Sequence, residues 1–292
     1  MEPFLDRISR GEILISDGAL GTMLFEAGLE PGHCPDMVVL EKPELLQNIA
    51  EQYIEAGSDI VHTDTFGANP LKLADYRLQD RTKEINREAV TLLKEVAGDR
   101  AYVSGSCGPS GRILEPYGDE KPEDVLKAYT VQTEALISAG VDLLCLETMI
   151  DLKEALLAVE AARSISSEIP IMTTLTFDKT PKGFFTIWGA TIEESVTSLQ
   201  AAGADVVGSN CGNGIDIMVE IARAFREATQ LPLLIQSNAG QPENRGGQIV
   251  YSEGPDLFAQ KAIELKEIGV SVIGGCCGTT PDHIRAINRA VS

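Results

Sequence analysis

Eight short apolar or β-branched runs alternate with eight helical stretches along the 292-residue chain, and this alternation limits the fold more than any other feature. The runs are 13–16, 59–63, 102–106, 142–146, 171–175, 204–208, 233–236 and 270–274. Most are apolar throughout, which suits strands buried on both faces. Between them the apolar residues recur with helical spacing over 43–56, 82–97, 122–139, 152–164, 192–202, 215–229, 255–268 and 281–291. Four helices end in glycine directly before the next strand, at Gly57, Gly140, Gly203 and Gly269, where a left-handed residue turns the chain. Strict strand–helix alternation requires right-handed crossovers and a parallel sheet. Eight units predict an α/β fold, a closed (β/α)8 TIM barrel, in a single domain over residues 1–292. The longer connections 68–80 and 108–121 are expected to project over the barrel mouth.

A net charge of −20 with no Lys/Arg run argues against nucleic acid and anionic membranes as partners. No apolar segment approaches the length of a membrane span. The segment Met1-Glu2-Pro3-Phe4-Leu5-Asp6 does not read as a signal peptide, so a cytoplasmic location with reduced thiols is expected. No feature specifies an oligomeric state.

Active sites of such barrels lie at the C-terminal ends of the strands. There the sequence places Asp17-Gly18-Ala19, Thr63-Asp64-Thr65-Phe66, Glu147-Thr148, Asn210-Cys211, Ser237-Asn238 and Cys276-Cys277. The sixth and eighth strands flank the seventh, so Cys211, Cys276, Cys277 and Asn238 converge on one sector of the mouth. Three thiolates with a fourth position open describe a catalytic zinc site that binds a substrate thiol. No protein side chain beyond the metal-activated thiolate is needed as a catalyst. Glu147 and Asp17 can receive an ammonium group, and the turn from Gly18 can hold a carboxylate with backbone N–H groups. Together they describe an amino acid bearing a thiol. Cys145 and Cys107 read as packing, Cys34 as incidental in a polar loop, His62 as a satisfied core residue, His283 as a surface residue, and Asp151 as a helix cap.

The segments Asp17–Thr22, Thr63–Asn69, Glu147–Asp151, Gly208–Cys211 and Gly274–Thr279 resemble the homocysteine S-methyltransferase family, over nearly the whole chain. The resemblance implies a TIM barrel that methylates zinc-bound homocysteine to methionine. It implies Cys211, Cys276 and Cys277 as zinc ligands, with Asn238 near the metal when substrate is absent. Asp17 and Glu147 would hold the amino group, Gly18 and Ala19 the carboxylate, and Asn210 would support the site, with Thr65 and Asp64 beside it. Where the family has Thr-Asn-Thr-Phe, this chain has Thr63-Asp64-Thr65-Phe66, an added carboxylate.

The sequence context looks closest to the cobalamin-dependent methionine synthase branch. No Asp-x-His-x-x-Gly cobalamin loop occurs in the chain. The expected donor is therefore methylcobalamin, free or on a separate corrinoid protein, with S-methylmethionine, S-adenosylmethionine and betaine as alternatives. Phe66, Tyr76, Phe177 and Trp188 are candidate contacts for a sulfonium donor. A non-catalytic zinc- or thiol-binding subunit of a corrinoid assembly is the alternative of another class.

Overall fold

The computed structural model of the protein describes residues 1–30, 32–246 and 248–292. Eight parallel strands form one sheet: β1 (Leu14–Ile15), β2 (Ile60–His62), β3 (Tyr102–Cys107), β4 (Leu143–Met149), β5 (Ile171–Leu175), β6 (Val206–Asn210), β7 (Leu233–Ser237) and β8 (Val272–Gly275). The order is β1-β8-β7-β6-β5-β4-β3-β2, and a parallel bridge from Ser16 to Ile60 joins the two ends. The sheet is therefore a closed (β/α)8 barrel. Its outer helices are α1 (Pro43–Ala56), α2 (Thr82–Ala97), α3 (Pro122–Ala139), α4 (Leu152–Ile165), α5 (Ile192–Ala202), α6 (Ile215–Ala228), α7 (Pro255–Ile268) and α8 (Pro281–Val291). The glycines after α1 and α3, Gly57 and Gly140, have φ of 103° and 92°, the left-handed turn predicted for them.

Alternation along the strands sorts side chains between two cores. Leu14, Ile60, Tyr102, Leu143, Cys145, Met172, Val206, Leu234 and Val272 fill the barrel interior. A short helix, Phe4–Ser9, adds Phe4 and Ile8 to that interior, and Phe4 meets Tyr102 edge-on at 5.8 Å. This helix, which the sequence pattern did not indicate, closes one end of the barrel and leaves the other for the site. The larger core lies between strands and helices and includes Leu144, Val207, Ile235 and Ile273.

The long connections at the mouth are braced by polar contacts. Arg112 donates to the Leu71 carbonyl at 2.6 Å and to Asp75 at 2.8 Å, tying the β3–α3 loop to the β2–α2 loop. Buried Glu154 accepts from the Ser110 N–H at 2.6 Å and the Tyr129 hydroxyl at 2.9 Å. Two hairpins absent from the sequence reading follow β5 and β7: Asp178–Thr180 with Gly183–Phe185, and Glu243–Arg245 with Gln248–Val250.

Candidate active site and metal centre

β6 delivers Cys211 in an unusual backbone state. Its φ is 61°, the left-handed region, and its N–H donates to the Gln236 carbonyl on β7 at 3.1 Å. A non-glycine residue there is held by its surroundings. Across β7, the Cys276 N–H donates to the Ser237 carbonyl at 2.7 Å, and the Cys277 carbonyl accepts from the Ala239 N–H at 2.9 Å. The Sγ atoms of Cys211, Cys276 and Cys277 all lie within 4.8 Å of one another, with Cys211 and Cys277 4.0 Å apart. A tetrahedral zinc with bonds of about 2.3 Å sets its sulfurs about 3.8 Å apart, so the three thiols fit that ion.

The thiols also behave as one unit. Hydrogen bonds from Cys276 and Cys277 pull the Cys211 thiol well below its ordinary pKa, and the same Cys211 sulfur pushes the other two up. A cation shared by all three would relieve the charge if each were deprotonated. Asn238 is buried, its side chain reaches Cys211, and its Oδ1 has no hydrogen-bond partner among the described residues. An orphaned buried oxygen beside three thiols is a further donor atom suited to a metal.

Asn210 joins this sulfur cluster to Glu147. Its Nδ2 lies 3.8 Å from Cys276 Sγ and 3.4 Å from Glu147 Oε2, so both are within 4 Å of one nitrogen. Its Oδ1 accepts from the Thr148 N–H at 2.7 Å and the Thr174 hydroxyl at 2.8 Å. Glu147 accepts from the Ser106 hydroxyl at 2.6 Å, and burial raises its pKa despite the opposing charge of His62.

Asp17 is buried at the end of β1 and accepts twice from His62, from the backbone N–H at 2.7 Å and from Nδ1 at 2.7 Å. Thr279 then locks the following turn to the cysteine pair. Its Oγ1 accepts from the Ala19 N–H at 3.1 Å and donates to the Cys276 carbonyl at 2.7 Å. A Cβ on Gly18 would stand 2.6 Å from that oxygen, so only glycine fits.

The structure thus brings together Cys211, Cys276, Cys277, Asn238, Asn210, Glu147, Asp17 and Gly18. The remaining sequence candidates have other tasks. The Ala19 N–H donates to Thr279 Oγ1 in this structure. Thr65 is fully buried, and its hydroxyl donates to the Ser106 carbonyl at 2.8 Å, so it supports β3 rather than facing a ligand. Asp64 is buried with Oδ2 unpartnered among the described residues; burial and the neighbouring Asp36 push its carboxyl well above the usual carboxylate range.

One expectation needs correction, that for His283. His62 ends β2 as a largely buried histidine bonded to Asp17 through Nδ1, as expected, although its Nε2 has no partner among the described residues. His283 is only 6% exposed rather than on the surface. Its Nδ1 accepts from the Thr280 N–H at 3.1 Å, its Nε2 contacts the Glu253 carbonyl at 2.9 Å, and its ring stands edge-on to Phe258. Cys34 is buried with its sulfur 3.6 Å from Asp36. Asp151 caps α4 through the Lys153 N–H, as expected. Tyr251, missed by sequence reasoning, hydrogen-bonds Cys277 and packs on Gly278, where any Cβ would strike its ring. It follows a hairpin with no clear pattern of its own, so no sequence signal pointed to it.

Comparison with known proteins places this geometry. Residues 14–291 match the homocysteine S-methyltransferase family. Methionine synthase of Mycobacterium leprae (strain TN) is 32% identical, the alignment covering 96% of this chain and 24% of the relative. Methionine synthase of Mycobacterium tuberculosis (strain ATCC 25618 / H37Rv) is also 32% identical, covering 99% of this chain and 25% of the relative. The chain thus spans about a quarter of the length of the curated relatives it matches. Among solved structures, the metallated form of the homocysteine methyltransferase MmuM from Escherichia coli superposes with a TM-score of 0.81 at 22% identity, covering 99% of both chains, a likeness of fold. With the match running across the whole barrel and the three cysteines gathered at its mouth, the chain belongs to the homocysteine S-methyltransferase family.

Proposed function

We propose that this chain transfers a methyl group to the sulfur of L-homocysteine, giving methionine, with zinc held by Cys211, Cys276 and Cys277. The observation that carries the reading is the cluster of three thiols within 4.8 Å, at strand ends of a barrel in this family. Zinc bound there would stabilise the substrate thiolate at neutral pH while leaving it nucleophilic. Asn238 Oδ1 is the side-chain atom suited to the remaining position when substrate is absent.

Asp17 and Glu147 receive the α-ammonium, and the backbone at Gly18 receives the carboxylate. Asn210 keeps the two ends of the site in register, because one amide nitrogen reaches both Cys276 and Glu147. This fixes the distance between the thiol position and the amine position. Methyl transfer then breaks one bond between donor and carbon and forms the carbon–sulfur bond of methionine.

For the donor we favour methylcobalamin, free or on a separate corrinoid protein. The 32% identity to methionine synthases supports this branch. Of the aromatic residues suited to a sulfonium donor, Phe177 is fully buried against Phe225, whereas Phe66, Tyr76 and Trp188 are exposed. The test is methionine formation by the zinc-loaded chain from homocysteine with methylcobalamin, S-methylmethionine, S-adenosylmethionine or betaine. Turnover with methylcobalamin alone is expected. Turnover with a sulfonium or ammonium donor alone would replace the donor assignment, and no turnover with any donor would favour a non-catalytic thiol-binding subunit.

A further inference from the structure

His62 occupies a position that neither zinc binding nor methyl transfer calls for. It lies two residues beyond Ile60 on β2, so it points into the barrel like Ile60, but one step nearer the mouth. Both oxygens of Asp17 depend on it: the backbone N–H donates to Oδ2 at 2.7 Å, and Nδ1 pairs with Oδ1 at 2.7 Å. A carboxylate only accepts, so Nδ1 carries the proton in that bond. The side chains of His62 and Asp17 are each only 10% exposed.

The imidazole also approaches Glu147. One ring nitrogen, Cys145 Sγ and a Glu147 carboxylate oxygen lie within 4.8 Å of one another, and Nε2 has no hydrogen-bond partner among the described residues. The ring is therefore bonded to one carboxylate and lies within 4.8 Å of a second. Burial is the largest influence and opposes a charge on it, but the charge and hydrogen bond of Asp17, together with Cys145, outweigh burial and hold the imidazole well above its ordinary pKa. Without such a residue, two carboxylates at one site repel, and one of them turns away or takes up a proton.

We propose that His62 is a positioning residue for amine recognition: it fixes the Asp17 carboxylate and separates it from Glu147, so that the α-ammonium of the substrate is what this side of the mouth selects. The inference rests on the homocysteine reading above. It adds a selecting residue that touches neither the metal nor the reacting sulfur.

The test compares homocysteine with 4-mercaptobutanoate, the same chain without the amine, by titration calorimetry on the zinc-loaded protein. The wild type prefers homocysteine. In His62→Leu that preference falls about 10- to 100-fold, the range for losing one charge-assisted hydrogen bond. The loss comes from weaker homocysteine binding and appears in KM far more than in kcat. His62→Asn, whose amide can sit near the Nδ1 position, recovers most of it. His62→Gln, whose amide sits near Nε2, does not, and this pair of variants decides the matter if His62→Leu fails to fold. Unchanged preference in His62→Leu, parallel weakening of both thiols, or equal behaviour of the Asn and Gln variants would overturn the inference. A wild type that binds both thiols equally would overturn it together with the amine role of Asp17 and Glu147. Binding of either thiol only with zinc present would leave the metal reading standing in that case.

Discussion

Glu147 owes its position to a local break in the β4–β5 ladder. The register shifts between Leu146 and Met149, and Thr148 adopts a φ of 58°, rare for a β-branched residue. The bulge turns the Thr148 N–H onto Asn210 and leaves the Glu147 carboxylate beside it. Glu147→Gln should raise the KM for homocysteine about 10- to 100-fold, as for one lost charged hydrogen bond; steady-state kinetics showing an unchanged KM would remove Glu147 from amine binding. Gly208 shows a different constraint, two residues before Asn210. A Cβ there would stand 1.8 Å from the Leu234 carbonyl oxygen on β7, so Gly208→Ala should destabilise the fold by about 1–3 kcal/mol or more, read as a lower denaturation midpoint. At this scale the sequence was informative for the cysteines, Asp17 and Glu147, because charge or sulfur at the end of an apolar run has few bland explanations. It was uninformative for His62 and Tyr251, whose partners lie 45 residues away on β1 and at the end of β8.

Among elements, the helix boundaries were the most legible part of the chain. Proline at the first turn and glycine after the last mark α1, α3 and α7, and α2, α5 and α8 also have their expected limits. Strand ends were harder. β4 resumes pairing at Met149 beyond its bulge, and β6 runs on to Asn210 because its polar residues Ser209 and Asn210 still pair with neighbouring strands. The two hairpins and the N-terminal helix escaped notice because they are short, and their packing comes from distant residues. The start of α8 illustrates the same point. His283 ties its first turn to Glu253 and is half of a capping box. Burial lowers its pKa, so the unfolded chain binds a proton there more readily than the folded one. Its stabilising contribution is complete above the ordinary imidazole range and is lost as pH falls through the lowered folded value. Denaturation of wild type and His283→Gln should therefore show a stability difference that shrinks on acidification across that window. A difference that stays constant with pH would contradict this account.

For the whole molecule, closure of the barrel turns separate sequence signals into one site. Cys211, Cys276 and Cys277 are 66 residues or fewer apart in sequence, and their strands meet only because β7 lies between β6 and β8. Asp17 joins them because β1 pairs with β8. The sequence order alone predicted this convergence once the eight-fold alternation was recognised. What it could not supply is the polar arc across the mouth, from Cys276 through Asn210 and Glu147 to His62 and Asp17, since side-chain contacts depend on the exact strand registers. The central claim is that three cysteines hold zinc with one position left for the substrate thiol. X-ray absorption at the zinc edge, before and after adding homocysteine, tests it most directly. The account predicts three sulfurs and one lighter atom around zinc at first, and four sulfurs once homocysteine binds. A metal shell that homocysteine leaves unchanged, or four sulfurs before it is added, would contradict it.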